Sequence, residues 1–414
     1  MKREAKYTEP AVRRPTRVEL SDKNLKLRAA IVIVAIAIAV AAFGIFAKTC
    51  TTKEGGWTEI ESDSVEGISY DNELYFFYNL GTGEMSATSE FKLVSNLYNK
   101  TLSEIAPLLD AYNSYDGVNN LYTLNRHPNQ EFKVSKLLYE ALELIDRYDV
   151  RNIYCAPVLE AYSGIFSAKD DSQAVLYDPY ENEALRAYFA ELCAFVSDEQ
   201  SVDLQLLGDN TVRLYVSEAY LAFAKENEIR NYVDLWLFKN AFMIDHCVKT
   251  FTAAGYTNGY FISFDGYMRN MDRKNAYDYD VHTLENGQIL TAAILTYDKP
   301  ISLANFRIYA LGAYEKASRV YVYKDLRFRH DYLDVSDGLC KAASSELIAY
   351  SFDKGCAETA LLSIKPYIAE ELDASALASL TAYGVNTVYV RGKKVVSNGD
   401  GITFAAFYDG YAAG

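Results

Sequence analysis

The chain has 414 residues, a formal net charge of −15 and a sequence pI near 4.9. Half of its residues are hydrophobic and 23% are charged, which excludes a disordered chain and suffices for one large or two ordinary domains. The acidic balance argues against a nucleic-acid partner, because nucleic-acid-binding proteins present basic surfaces to phosphates.

The N-terminal part of the sequence is basic and then strongly apolar. Residues 1–28 contain nine lysines and arginines and four acids, a net charge of +5, so the remainder carries −20. Residues 29–47 contain no charged side chain and are long enough to cross a bilayer core as a helix. We therefore predict a basic cytoplasmic tail (1–28), a single-pass membrane anchor (29–47), a linker (48–66) and an extracytoplasmic domain (67–414).

Apolar periodicity in the rest of the chain predicts a mixture of helices and strands in one α+β domain. The predicted elements are strands within 68–80, a helix over 89–113 that is capped by Ser89 and kinked at Pro107, helices over 134–148 and 184–196, a hairpin over 202–216, a polar and tyrosine-rich loop over 269–286, a helix over 358–372 and a hairpin over 386–397.

The stretch 231–266 predicts a strand, a helix and a second strand in succession. An apolar run ends at Asp234, apolar residues then recur at helical spacing until Gly255, and the buried-strand pattern of 260–264 leads into Asp265 and Gly266. Each junction carries a polar residue, as at the mouth of a site. An ordinary α+β domain also contains such units without a site there, so the pattern alone leaves both interpretations open.

The cysteines and histidines do not predict a metal centre. All six cysteines follow residue 47, none has CxxC spacing, and the four histidines are scattered. An extracytoplasmic location permits disulfides but leaves their connectivity open, and most of the cysteines are expected to be small buried hydrophobic residues. The sequence contains no P-loop, GxGxxG, HExxH or GxSxG motif.

Several short motifs nevertheless follow one another in an order that is typical of one enzyme family. They are Tyr115 with Leu121, Leu124 and Asn125, then Asp234-Leu235 with Asp245, Asp265-Gly266, Gly312 with Tyr314 and Glu315, His330 with Asp334 and Gly338, and finally Gly355 with Thr359. This order resembles the ApbE-type FAD:protein FMN transferases from about residue 81 to residue 399.

The resemblance is that of a diverged member. Trp236 and Leu237 stand where the family has glycines, and Asn240 stands where it has a lysine. Asn152 replaces an acid, and Gly355 replaces the acid that holds the metal.

The resemblance implies that FAD is the ligand and that Mg²⁺ neutralises its pyrophosphate while a threonine or serine of an acceptor protein attacks it. Positioning and charge stabilisation dominate such phosphoryl transfers. It assigns Asn125, Asp234, Asp265, Gly266 and Tyr314 to the nucleotide site. The metal candidates are Asp353 and Thr359, with Asp334 as a further one, and the catalytic candidates are Asp334 and His330, the latter as a base.

Three hypotheses remain open at this point. The first is an anchored transferase relative that modifies an exported flavoprotein, with catalysis weakened or lost. The second is a non-catalytic flavin-binding or assembly module that kept the fold. The third is an unrelated extracellular ligand-binding domain, whose many tyrosines would stack on sugars.

Overall fold

A computed structural model describes residues 53–62, 74–311 and 319–414. The predicted tail and anchor lie outside these residues, as does Tyr314. Among the described helices, no segment combines the length and the hydropathy that a membrane crossing needs.

Helices occur throughout the described part of the chain and range from a single turn to five turns. The α-helices are α1 (Ala87–Ile105), α2 (Leu121–Arg126), α3 (Lys136–Arg147), α4 (Ala156–Tyr162), α5 (Asp171–Ala174), α6 (Glu183–Val196), α7 (Glu218–Glu226), α8 (Lys239–Ala253), α9 (Cys356–Tyr367) and α10 (Ala374–Ser379). Short 3₁₀ turns occupy Ala106–Leu109, Arg151–Cys155, Ser163–Ser167, Val175–Tyr177 and Leu380–Tyr383.

The strands are β1 (Gly56–Ile60), β2 (Leu74–Leu80), β3 (Glu131–Lys133), β4 (Val202–Gly208), β5 (Thr211–Val216), β6 (Gly259–Ser263), β7 (Tyr267–Asn270), β8 (Tyr277–Glu285), β9 (Gln288–Tyr297), β10 (Ile301–Arg307), β11 (Val320–Val322), β12 (Phe328–His330), β13 (Glu346–Ser351), β14 (Asn386–Arg391), β15 (Lys394–Ser397), β16 (Thr403–Phe407) and β17 (Ala412–Ala413).

The central sheet has the strand order β1-β2-β6-β7-β10-β13-β14-β15-β17. Its neighbouring strands are antiparallel except for the final β15–β17 pair. Smaller sheets have the orders β16-β9-β8, β3-β5-β4 and β11-β12. Because β1 belongs to the central sheet, the sheet begins before residue 67, within the predicted linker. An antiparallel sheet with helices on one face is an α+β fold, as predicted.

Two apolar cores lie on opposite faces of the central sheet. The larger core contains the inward faces of α1, α8 and α9, and its largest members include Tyr98, Phe251 and Phe261. The smaller core lies between the sheet and strands β8 and β9, around Leu303 and Leu295. Central strand β10 is therefore covered on both faces, and its residues Ile301 to Phe306 are all buried.

The first long helix begins and ends earlier than its pattern predicts. Ser86 is the N-cap, and its hydroxyl accepts a hydrogen bond from the Ser89 backbone N–H at 3.3 Å. Pro107 lies at the start of the 3₁₀ turn Ala106–Leu109, where its missing N–H leaves no helical bond unmade. The helix predicted over 89–113 was therefore wrong at both ends.

The hairpins and the other long helices agree with the prediction, with small shifts at their ends. Strands β4 and β5 pair around Asp209 and Asn210, both of which have positive φ angles, and β14 pairs with β15 across Gly392. Helix α8 is followed by Gly255, whose φ of +83° suits a glycine beyond a helix end. The predicted helix over 358–372 is α9, which ends at Tyr367.

The predicted loop over 269–286 is wrong, because it contains the end of β7 and all of β8. Tyr277, Tyr279, Val281 and Thr283 alternate with polar residues along β8. This alternation with a period of two produces a strand despite the polar composition, because one face of β8 packs on the central sheet. The five cysteines of the described residues are free and buried, as expected of small hydrophobic residues.

Candidate functional site

A cleft of about 350 Å³ opens beside the N-terminus of α8. It also touches the turn after β6, the end of β10 and the segment around β11 and β12. Its wall combines aromatic rings with charged groups of both signs. The aromatic lining is Tyr112, Trp236, Phe264, Tyr309 and Tyr332, and the charged lining is Asp110, Asp234, Lys239, Asp265, Arg307, Arg319 and Asp331.

Asp234 is positioned by a side chain distant in the sequence. The Asn125 carboxamide donates to the Val233 carbonyl at 2.8 Å and accepts from the N–H groups of Tyr232 and Val233 at 2.9 and 3.0 Å. In a sheet a neighbouring strand would satisfy these backbone groups, whereas here the Asn125 side chain satisfies them. The strand predicted to end at Asp234 is wrong, because residues 231–234 pair with no neighbouring strand. Their backbone bonds go to the Asn125 side chain and, from the Asp234 N–H, to the Ile153 carbonyl at 2.9 Å.

The Asp234 carboxylate faces the cleft and is almost fully buried, with 5% of the residue exposed. The Tyr112 hydroxyl donates to its Oδ2 at 2.9 Å. Burial raises the pKa of Asp234, while Tyr112, Arg319 and Lys239 act in the opposite direction. Burial and the neighbouring carboxylate in turn raise the pKa of Tyr112, so its proton stays in this bond.

Asp265 lies across the cleft on the turn that follows β6. The Asn240 side-chain N–H donates to its Oδ2 at 3.1 Å, which links this turn to the first turn of α8. Gly266 has a φ of +102°, and an added Cβ would lie 2.1 Å from the Asn305 carbonyl oxygen. The close passage of β10 therefore requires glycine at position 266, which shapes the cleft without lining it.

Arg319 and Asp331 form the opposite wall and approach to 3.4 Å. Burial raises the pKa of Asp331, and the Asp331 and Asp234 carboxylates help to keep Arg319 charged. Arg307 is fixed nearby, because its guanidinium donates to the Phe264 carbonyl at 2.6 Å. Asp331 is one residue from the predicted His330, whereas Arg307, Arg319 and Tyr112 carried no recognisable motif.

His330 and Asp334 do not line the cleft. His330 is 5% exposed, and burial together with Arg329 lowers its pKa to about 3, so the imidazole is neutral at physiological pH. Asp334 is partly buried, but hydrogen bonds from Lys341, at 2.9 Å, and from Ser336 hold its pKa below the ordinary value. These two residues are therefore separate from the charged cleft residues.

Neither residue expected to bind magnesium lines the charged cleft. Asp353 is exposed and lines a different cleft, while Thr359 is buried and its hydroxyl donates to the Gly355 carbonyl at 2.7 Å. Within the described ranges, no group of three histidine, cysteine, aspartate or glutamate side chains could hold an ion.

Position 355, where the resemblance leads us to expect a metal-binding acid, is filled from another helix. Asp245 of α8 accepts hydrogen bonds from the N–H groups of Cys356 and Ala357 at 2.7 and 2.9 Å. It thereby caps α9, whose own N-cap residue is Gly355. A Cβ at Gly355 would lie 2.3 Å from the Asp245 Oδ2 atom. An acid cannot occupy position 355 while Asp245 occupies this space, so the residues present do not fit a magnesium ion there.

No family model matches the sequence, and no curated protein is detectably similar to it. Solved structures do match. The chain is similar to the ApbE protein of Thermotoga maritima, with a TM-score of 0.54, 13% identity and coverage of 84% of this chain and 96% of that one. It is also similar to the flavin transferase ApbE of Vibrio cholerae, with a TM-score of 0.53, 12% identity and coverage of 85% and 97%.

The similarity extends over most of this chain and nearly the whole of each solved structure. At this level of identity the similarity establishes the architecture, and the chemistry depends on the residues of the cleft. The chain has the fold of the ApbE flavin transferases, in a strongly diverged sequence.

Proposed function

We propose that this protein binds a flavin nucleotide in the cleft and has lost the metal-dependent transfer of FMN. The proposal rests on the contact between Asp245 and Gly355. The Asp245 carboxylate caps helix α9 and occupies the space that a metal-binding acid at position 355 would need. The cleft itself is retained, and its aromatic rings suit a flat, partly apolar ring system.

The charges in the cleft support binding more than catalysis. Lys239, Arg307 and Arg319 provide positive charge for a phosphate, but the acidic residues of the same wall balance it. Transfer of an FMN group from FAD requires strong neutralisation of the charge that develops on the pyrophosphate. Two observations support the loss of that neutralisation: Thr359 is bonded to a backbone carbonyl, and the Asp245 carboxylate occupies the space that an acid at position 355 would need.

The experiment combines flavin titration with a transfer assay on the purified full-length protein in detergent. Riboflavin, FMN and FAD are titrated with Mg²⁺ and with EDTA, and transfer to a threonine-containing acceptor peptide is followed by mass spectrometry. The flavin transferase ApbE of Vibrio cholerae is the positive control.

We expect flavin binding that does not depend on Mg²⁺ and no FMN transfer above background. The variant Asp234→Asn should weaken binding, because the Asp234 carboxylate positions Tyr112 and Arg319, which both line the cleft. Metal-dependent transfer at the rate of the control enzyme would instead support an active transferase, whose acceptor would be an exported flavoprotein. The absence of any flavin binding would refute the proposal.

We also propose that residues 29–47 anchor the protein in a membrane with residues 1–28 in the cytoplasm. The basic flank before an uncharged segment of nineteen residues supports this orientation. The flavin-binding domain would then be extracytoplasmic and would have no nucleic-acid partner.

A further inference from the structure

Two cleft residues carry buried polar atoms that have no hydrogen-bond partner among the described residues. They are the indole N–H of Trp236 and the carboxamide oxygen of Asn240. Both residues line the cleft, and their exposed fractions are only 7% and 3%. A buried polar atom without a partner costs about 1–3 kcal/mol, so folded proteins seldom retain one without a reason.

The orientation of Asn240 is fixed by its other atom. Its N–H group donates to Asp265 at 3.1 Å, so its oxygen is the atom left without a partner. Trp236 can only donate. The two residues lie near the N-terminus of α8 and line the cleft, and they carry one unpaired donor and one unpaired acceptor. By the resemblance, Trp236 replaces a glycine of the family motif and Asn240 replaces its lysine.

We propose that Trp236 and Asn240 recognise the imide edge of the flavin ring, where a carbonyl oxygen adjoins an N–H group. The Trp236 N–H would donate to that carbonyl, and the Asn240 oxygen would accept from the N3–H group. This inference rests on the proposed function, and it adds the two residues that determine which ring system the cleft accepts.

The charge distribution supports this orientation of the ligand. Trp236 and Asn240 are nearly inaccessible, whereas the Arg319 side chain is 44% exposed. A flavin nucleotide whose imide edge lies inward places its phosphate toward Arg319. The ring then passes between aromatic side chains of the lining, which favour stacked or edge-on contacts.

The first test changes the ligand and one residue together. Riboflavin and 3-methylriboflavin, which lacks the N3–H donor, are titrated into the wild-type protein and into Asn240→Ala. The wild type should bind the methylated compound about tenfold more weakly or worse, which corresponds to one hydrogen bond. Asn240→Ala should bind the two compounds with similar affinity, because it lacks the acceptor and has room for the methyl group.

The second test uses the two tryptophans of the chain as a matched pair. Trp236→Phe keeps an aromatic ring but removes the N–H, and should weaken the binding of both compounds by about tenfold. Trp57→Phe is the control, since Trp57 lies on β1 and outside the cleft lining. In that control protein the remaining emission comes from Trp236 and should be quenched when riboflavin binds.

The outcomes separate this inference from the proposed function. If the wild type binds no flavin, both fail. If it binds both compounds equally well, or if Trp236→Phe binds them as tightly as Trp57→Phe does, the recognition pair is refuted while flavin binding stands. Measurements on the wild type decide the role of Asn240 even if Asn240→Ala does not fold.

Discussion

Asn125 shows how one side chain can replace a strand partner. Its three hydrogen bonds hold residues 232 and 233, and Asp234 follows directly. The residue is 2% exposed, so water cannot substitute for the amide if it is removed. Asn125 does not line the cleft itself and is thus a positioning residue for Asp234.

We predict that Asn125→Ala lowers the free energy of unfolding by about 2–4 kcal/mol, because it leaves buried backbone groups without partners. Asn182→Ala is the control. Asn182 also bonds through both side-chain ends, but it caps α6 in a partly exposed position, so its loss should be about 1 kcal/mol. Urea denaturation measures both. Equal losses of unfolding free energy in the two variants would show that burial does not increase the cost of removing the Asn125 side chain.

The sequence identified Asn125 and Asp234 but not the bond network that joins them. Asn125 contacts backbone groups 107 and 108 residues away, and no local pattern encodes such a contact. Tyr112, Arg307 and Arg319 were missed for a related reason, since their roles arise only when separate elements meet at the cleft. The predicted site residues that had local support, Asp234 and Asp265, do lie together there.

At the scale of elements, helix α9 depends on helix α8 for its cap. Gly355 has no side chain to satisfy the first N–H groups of α9, and Asp245 supplies both acceptor oxygens. A carboxylate at a helix N-terminus also interacts favourably with the helix dipole. The resemblance leads us to expect an acid at position 355, and in this chain Asp245 of the neighbouring helix caps α9 instead.

This arrangement predicts a reciprocal exchange between positions 245 and 355. Asp245→Ala should destabilise the protein by about 0.5–2 kcal/mol through loss of the cap. Gly355→Asp should destabilise it by about 1–3 kcal/mol, because the new Cβ would lie 2.3 Å from a carboxylate oxygen. The double variant should be at least about 1 kcal/mol more stable than the sum of the single losses predicts.

Thermal and urea denaturation of the four proteins give the coupling energy directly. Simple additivity would mean that the two positions do not compete for the same space. The exchange also tests the metal argument, because the double variant carries its acid at the family position. Stabilisation by Mg²⁺ in the double variant alone would show that the cap had displaced a metal site.

The same cap gives a pH dependence of defined sign. Burial raises the pKa of Asp245 from 3.8 to about 6 in the folded state, although the N–H groups of Ala357 and Cys356 oppose the shift. The folded protein therefore binds the proton more tightly than the unfolded chain does. The stabilisation that comes from protonating Asp245 is fully present below about pH 4 and is lost as pH rises through about 6.

We expect the unfolding free energy of the wild type minus that of Asp245→Asn to decrease as pH rises from about 4 to about 6.5. Asparagine keeps an acceptor for the helix but does not titrate, so other ionising groups cancel in the comparison. Urea denaturation at several pH values provides the measurement. A difference that increases with pH would mean that the carboxylate is favoured in its charged form by the folded state.

At the scale of the whole molecule, composition and periodicity were sufficient for the α+β class but not for the order of the strands. Strand β10 lies between β7 and β13, and β2 pairs with β6 across nearly 180 residues of chain. Such pairings depend on long-range packing, so pattern alone could not place them. The family resemblance supplied the architecture that periodicity could not, and the solved ApbE structures bear it out.

The charge of the N-terminal segment predicts the orientation of the chain in a membrane. A reporter enzyme that is active only outside the cytoplasm, fused after Gly414, should be active when residues 1–47 are present, because the basic segment 1–28 should stay inside while 29–47 crosses. Deleting 29–47 should abolish the activity and release the protein from the membrane fraction. Replacing the basic residues of 1–28 with glutamine should reduce the activity while leaving the protein in the membrane, since those charges determine the orientation and the apolar segment determines insertion. Full activity of a reporter that works only in the cytoplasm, at the same fusion point, would reverse the orientation and place the flavin cleft inside the cell.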